Sequence, residues 1–203
     1  MALDRPVVYA LPRGGVPVAL EIARALRAPL DLVLVRKIGA PGEPELALGA
    51  VVEGDPPETV INDDVRRAYG ADDAYIEHAR QRLLAELERR RALYLGSRPR
   101  LAPAGCTAII VDDGLATGAT ARAALSAVKR QGGAAKTVLA IPVAQQQALN
   151  DMREHADSVV CLQAVRRFAG VGAFYADFHQ LTDDETVGLL RLSIGRAPEP
   201  PRP

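Results

Sequence analysis

The sequence predicts an α/β fold: a Rossmann-like, mostly parallel sheet with helices on both faces. Three observations predict it. Short apolar runs alternate along the chain with segments of helical period. The residues are 48% apolar yet only 4% aromatic, with no Trp, so the core must be built from Ala, Val, Leu and Ile, as suits parallel strands buried on both faces. Glycine- and proline-containing turns follow the apolar runs, at the strand ends where open α/β sheets hold ligands.

The elements follow in order. Residues 7–11 form a short apolar strand that ends at Pro12-Arg13-Gly14-Gly15. Residues 17–26 read as a helix with Val18, Ile22, Ala25 and Leu26 on one face, stopped by Pro29. Residues 30–38 read as one second strand. Residues 39–45, GAPGEPE, hold two Gly and two Pro and are expected to be an irregular, mobile loop. Residues 47–53 and 59–61 look like short strands. Asn62 or Asp63 can cap one helix, and Asp72 or Asp73 a second that runs to about Tyr94. The second is amphipathic, with Ile76, Leu83, Leu84, Leu87 and Leu93 as its apolar stripe. Its arginines, Arg80, Arg82 and Arg89 to Arg91, interleave with Glu77, Glu86 and Glu88, which predicts a solvated face. A strand over 108–111, a helix over 120–131 closed by Gly132-Gly133, a strand over 137–143, a helix over 145–155 and a strand over 158–162 follow. The aromatic and glycine segment 168–178 comes next, and Thr182 with Glu185 makes a capping box for a last helix.

With 203 residues the chain fits one domain, taken as 1–195, with a helical insertion at 63–94. The Pro-rich tail 196–203 is expected to be disordered. Lys plus Arg and Asp plus Glu are 25 each, so neither nucleic acid nor an acidic membrane is an expected partner. No apolar run approaches the ~20 residues of a membrane helix, and the N-terminus has no signal-peptide pattern. A cytoplasmic protein is expected. Cys106 and Cys161 lack metal-ligand spacing and read as two buried thiols. Of the histidines, His78 and His155 fall on helix faces, and His179 stands beside Asp177.

Chemistry concentrates in residues 109–120, IIVDDGLATGAT. A buried strand ends in Asp112 and Asp113. Paired carboxylates are poor phosphate ligands but good acceptors for a sugar diol, and they can hold Mg²⁺ directly or through water. The loop that follows is built from small residues, so Ala116, Thr117, Gly118, Ala119 and Thr120 expose backbone amides and two hydroxyls at a helix N-terminus, an anion cradle. A diol acceptor beside a phosphate cradle matches a 5-phosphorylated ribose. Without a Lys before the Thr this is not a Walker A loop, and the dinucleotide pattern GxGxxG is absent.

IIVDDGLATGAT resembles the signature by which type I phosphoribosyltransferases bind 5-phosphoribosyl diphosphate (PRPP). The resemblance implies that family's fold, with a small hood-like segment at 165–180. It implies that Asp112 and Asp113 hold the ribose hydroxyls and Mg²⁺ while residues 116–120 hold the 5′-phosphate. Arg13, Gly14 and Gly15 lie where the family places its pyrophosphate loop, and Arg36 and Lys37 where it places a basic pyrophosphate contact. These two cations are expected on one rim, with Asp112 and Asp113, as the catalytic groups. Residues 39–49 look like the family's flexible catalytic loop, in which Glu43 and Glu45 are candidate proton acceptors.

Residues 168–178 resemble the family's base-binding hood, with Phe168, Val171 and Asp177 as acceptor-binding candidates. There is one departure: purine-type members carry a Lys after the strand equivalent to 137–141, and this chain reads Ile141-Pro142-Val143-Ala144 there. The implied activity is phosphoribosyl transfer from PRPP to a nitrogenous small-molecule acceptor, with Mg²⁺ as cofactor and a homo-oligomer possible. A PRPP-sensing regulator without catalysis and a hydrolase of ribose phosphates stay open as alternatives.

Overall fold

Side chains of the first strand, β1 (Pro6–Ala10), point alternately to opposite faces: Val8 and Ala10 pack into one buried layer, Tyr9 into another. The computed structural model describes residues 3–194. From β1 the chain runs through α1 (Gly15–Leu26), β2 (Leu30–Leu32), β3 (Val35–Ala40), β4 (Glu43–Val52), β5 (Glu58–Ile61), α2 (Asp63–Tyr69) and α3 (Asp73–Leu95). It continues through β6 (Thr107–Val111), α4 (Ala119–Gly132), β7 (Lys136–Gln145), α5 (Gln146–Met152) and β8 (Ser158–Val165), then a short 3-10 turn (Val171–Phe174) and α6 (Asp183–Ile194).

The main sheet has five strands in the order β2-β1-β6-β7-β8, every neighbouring pair parallel. Val16, Ala19 and Leu20 of α1 and Leu190 of α6 cover one face, over Val8, Ile109 and Val111. Ala124, Leu125 and Val128 of α4, with Leu149 and Met152 of α5, cover the other, over Ala108, Ile110 and Leu139. The predicted parallel sheet with helices on both faces is thus found. The capping residues hold as well. Asn62 Oδ1 accepts from the amides of Asp64 and Val65, Asp72 from that of Tyr75, and Thr182 and Glu185 exchange hydrogen bonds as a capping box.

Four local expectations are corrected. Residues 30–38 are two strands, not one: β2 belongs to the parallel sheet, while β3 opens a separate antiparallel sheet of order β3-β4-β5. The apolar pattern hides this break because Val33 and Leu34, at the crossing, are both buried, one in each layer. Residues 39–45 are mostly regular. Gly39 pairs with Ala47 and Ala40 with Glu43, across a turn in which Gly42 takes φ 75° after Pro41. The prolines and glycines thus build a hairpin tip with an irregular register rather than a loop. In α3, Leu93 is half exposed, whereas Arg91 is 7% exposed and faces inward. Cys106 is buried as expected, but Cys161, on the edge strand β8, is only partly so; both are free thiols.

Arg91 ties the two sheets together. It donates to both carboxylate oxygens of Asp31 in β2 (3.0 and 3.1 Å) and to Glu53, just after β4 (3.0 Å). Asp31 and Glu53 are themselves 2% and 6% exposed. Around this centre Leu83 and Leu87 of α3 pack into the same layer as Ile38, Leu48 and Val51, so the 63–94 segment contributes side chains to the main core. The predicted tail 196–203 lies outside the described residues.

Candidate functional site

The strand order sets the location of the site. From β1 the chain moves to one side to make β2 and later to the other to make β6, β7 and β8. The order therefore reverses between β1 and β6, and ligands of open α/β sheets bind in the crevice beyond the carboxyl ends of the strands at such a point. Residues 11–15 leave β1 there, and Asp112 and Asp113 leave β6.

Glycine lets these two segments touch. A Cβ on Gly14 would overlap the Asp113 carboxylate, and one on Gly15 would lie 2.6 Å from the carbonyl oxygen of Val111. Only residues without side chains fit between the β1–α1 loop and the acid pair. Leu11 N–H donates to Val111 O at 2.8 Å and fixes the approach. Asp112 Oδ1 accepts from the backbone amide of Asp113 at 2.9 Å. Burial, and then the charge of Asp113 beside it, push the Asp112 carboxyl well above its ordinary range; burial raises Asp113 as well. No ion pair to a cation is found for either among the described residues. Among the described residues the acid pair thus has no cation partner of its own.

Beyond the acids the loop is pinned to β7: Leu115 N–H donates to Val143 O and Gln145 N–H to Leu115 O, both at 2.9 Å. Gly118 then takes φ 74° and starts α4 with no side chain capping the helix. Ala116, Thr117, Ala119 and Thr120 are exposed. The first amides of a 14-residue helix are left open to a ligand, with two threonine hydroxyls beside them.

Two cavities flank this centre and share Arg13 as a wall. One, of about 490 Å³, is lined by Arg13, Gly14, Asp113, Tyr175, Asp177, Phe178 and His179 among others. The other, of about 170 Å³, is lined by Pro12, Arg13, Leu34, Val35, Arg36, Leu87, Arg90 and Tyr94. Arg36 and Lys37 do not share a rim. Neighbouring strand residues face opposite ways; Arg36 reaches the smaller cavity, while Lys37 pairs with Glu45 at 3.1 Å on the hairpin. Glu43 and Glu45 are exposed on that hairpin.

The segment after β8 folds over the acids. Tyr175 donates its hydroxyl proton to Asp113 O at 2.6 Å. Its own pKa is pushed up to about 12 by burial and by the charges of Asp113 and Asp112. Val171 packs against Gly114, where a Cβ would lie 2.7 Å from it. Phe168 stacks on Phe174, ring centroids 5.8 Å apart, and is not among the residues lining either cavity. Asp177 lines the larger cavity and pairs with His179 at 3.1 Å; the other ring nitrogen of His179 is 3.3 Å from Glu185. The hydrogen bond and charge of Asp177, then those of Glu185, raise the His179 pKa.

Sequence reasoning missed the contact made by Tyr175, and it did not place Arg90 and Tyr94 on a cavity wall. Tyr175 lay within a segment that had been singled out, but its partner is a backbone oxygen 62 positions away. Arg90 was hidden in a charge run that looked like a solvated face.

A doubly wound α/β domain with an acid pair and an uncapped helix N-terminus at its switch point is the class of protein defined so far. The chain belongs to the phosphoribosyl transferase domain family, whose model matches residues 2–178. Relatives in two strains of Mycobacterium tuberculosis, provisionally named phosphoribosyl transferases, are 47% identical over 184 residues. That match takes in 91% of this chain but only 41% of those relatives' length. Among solved structures, TT1426 from Thermus thermophilus is 46% identical and superposes with a TM-score of 0.80, over 93% of this chain and 88% of its own. No helix among the described residues is long and apolar enough to cross a membrane.

Proposed function

We propose that the protein transfers the 5-phosphoribosyl group of PRPP to a nitrogenous acceptor and releases pyrophosphate. The observation that carries this reading is the pairing, at one switch point, of Asp112-Asp113 with the open N-terminus of α4. Asp112 and Asp113 accept the ribose hydroxyls, and the amides and hydroxyls of residues 116–120 hold the 5′-phosphate. Arg13 with the Gly14-Gly15 backbone, and Arg36 across the smaller cavity, face the diphosphate end.

Among the described residues no group of three or more metal-binding side chains stands together. Mg²⁺ characteristically takes one or two carboxylates and completes its shell with water and substrate oxygens. The acid pair, raised in pKa by burial and, at Asp112, by the charge of Asp113 beside it, fits that role. Mg²⁺ held by Asp112 and Asp113 would neutralise charge on the diphosphate.

The acceptor nitrogen donates its lone pair to C1 of the ribose, the bond from C1 to the diphosphate oxygen breaks with its electrons leaving on that oxygen, and the proton lost from the nitrogen passes to the departing diphosphate or to solvent. No covalent intermediate with the protein is needed. Positioning, and stabilisation of negative charge as it gathers on the leaving group, lower the barrier. The acceptor enters the larger cavity, against Tyr175 and Phe178, with Asp177 at its wall. Val171 packs against Gly114 and Phe168 against Phe174, so both hold the hood segment in place rather than touch the acceptor.

The test is incubation with PRPP and Mg²⁺ over a panel of nitrogenous acceptors, following pyrophosphate and the mass of the product. A phosphoribosylated product, lost in Asp113→Asn, is the expected result. Tight PRPP binding with no product over the whole panel would overturn the reading in favour of a sensor, and phosphate release without any acceptor would overturn it in favour of a hydrolase.

A further inference from the structure

Three arginines from three separate elements meet at the 170 Å³ cavity: Arg13 from the β1–α1 loop, Arg36 from β3 and Arg90 from α3, with Tyr94 beside them. Their arrangement is specific. Arg36 Nε and Arg90 Nε both donate to the same atom, Glu86 Oε1, at 2.8 and 3.1 Å. Arg13 and the Tyr94 hydroxyl both donate to Asp183 Oδ1, at 3.5 and 2.6 Å, and Arg90 Nη1 lies 3.4 Å from the Tyr94 hydroxyl. Two carboxylates thus orient three guanidinium groups and leave one positive charge in excess. All three arginines are partly buried.

A guanidinium carries five N–H donors. The contacts above, with one from Arg36 to the Val35 carbonyl, leave most of those donors unused. A compact anion with many acceptor oxygens is the chemistry that fits a small cavity lined in this way. The cavity shares Arg13 with the larger one, whose wall includes Asp113.

We propose that Arg90 and Tyr94 of α3 bind the diphosphate, so that this helix supplies a wall of the leaving-group subsite. The identity of the anion rests on the phosphoribosyl-transfer reading; the presence of an anion site does not. Arg90 brings a further guanidinium fork to the cavity that Arg13 and Arg36 line. On this view the arginine run in α3 is divided in function: Arg89 faces solvent, Arg90 faces the ligand, and Arg91 holds the core.

Binding of inorganic pyrophosphate and, separately, of ribose 5-phosphate to the full chain tests this by calorimetry in the presence of Mg²⁺. Arg90→Gln should weaken pyrophosphate roughly tenfold, the loss of one charge-assisted contact, and leave ribose 5-phosphate affinity unchanged. Arg89→Gln removes the same charge one residue away and should change neither. Unchanged pyrophosphate affinity in Arg90→Gln, or an equal loss in Arg89→Gln, would overturn the assignment. If Arg90→Gln does not fold, Arg90→Lys keeps the charge but not the fork; a severalfold loss then supports the contact and no loss overturns it. Pyrophosphate binding that depends on Arg90 in a protein that transfers nothing would retain this site while refuting the transferase reading.

Discussion

Asp112→Asn should make the unliganded protein more stable and unable to bind PRPP. The native Asp112 Oδ1 accepts from the Asp113 amide at 2.9 Å, and an asparagine oxygen can keep that bond. What changes is charge. Adjacent carboxylates repel by about 3 kcal/mol at the effective dielectric of a partly buried site, and solvent takes up roughly half of that. A net gain of about 1–2 kcal/mol at pH 8 is expected, or a rise in Tm of roughly 2–8 °C for a domain of this size.

The dependence on pH gives the sign. Both folded-state pKa values are raised. Their contribution to stability is therefore complete below the ordinary carboxylate range and is lost as pH rises through the folded values. The gain from Asp112→Asn should be present at pH 8 and shrink towards pH 4. Thermal denaturation at the two pH values, with and without PRPP and Mg²⁺, measures both halves. A variant no more stable than wild type at pH 8, or one whose Tm still rises with PRPP, would refute the reasoning.

Three more outcomes follow from the same geometry. Arg91→Met leaves Asp31 and Glu53 buried without their shared partner and should cost about 3–5 kcal/mol in urea denaturation, a large share of a typical domain's stability; a loss below about 1 kcal/mol would refute the proposed role of the tie. Gly14→Ala sets a methyl group against the Asp113 carboxylate, so PRPP affinity measured by calorimetry should fall at least tenfold, with a stability loss of about 1–3 kcal/mol. Tyr175, its pKa near 12, should stay protonated through pH 10; in difference spectra at 295 nm, Tyr175→Phe should remove a late-titrating phenol and leave the earlier ones in place.

Features written in contiguous residues were legible in the sequence. Strands β1, β6 and β7 follow their apolar runs, and the caps at Asn62, Asp72 and Thr182 act within three residues of themselves. The acid pair and its loop were legible because one strand–loop–helix contains both. Features that depend on distant partners were not. Arg91 looked like one more arginine on a charged helix, and its partners lie 60 and 38 positions away. The break in residues 30–38 was invisible because both residues at the crossing are apolar. Residues 39–45 were misread since Pro and Gly mark a turn without saying how short it is; here the strands resume on either side of Pro41-Gly42.

The pinning of Leu115 to Val143 and Gln145 separates two evolutionary problems. On the proposed reading the grip on the sugar phosphate is indexed to interior strands, whose movement would disturb the whole sheet. The wall facing the acceptor comes from the chain after β8 and meets the acid-bearing loop through the Tyr175 hydroxyl, on the Asp113 carbonyl, and the side chain of Val171, on Gly114. Selection can therefore redraw residues 168–181 to admit a different acceptor while the donor machinery stays untouched. Exchanging that stretch between relatives is the natural way to transplant selectivity.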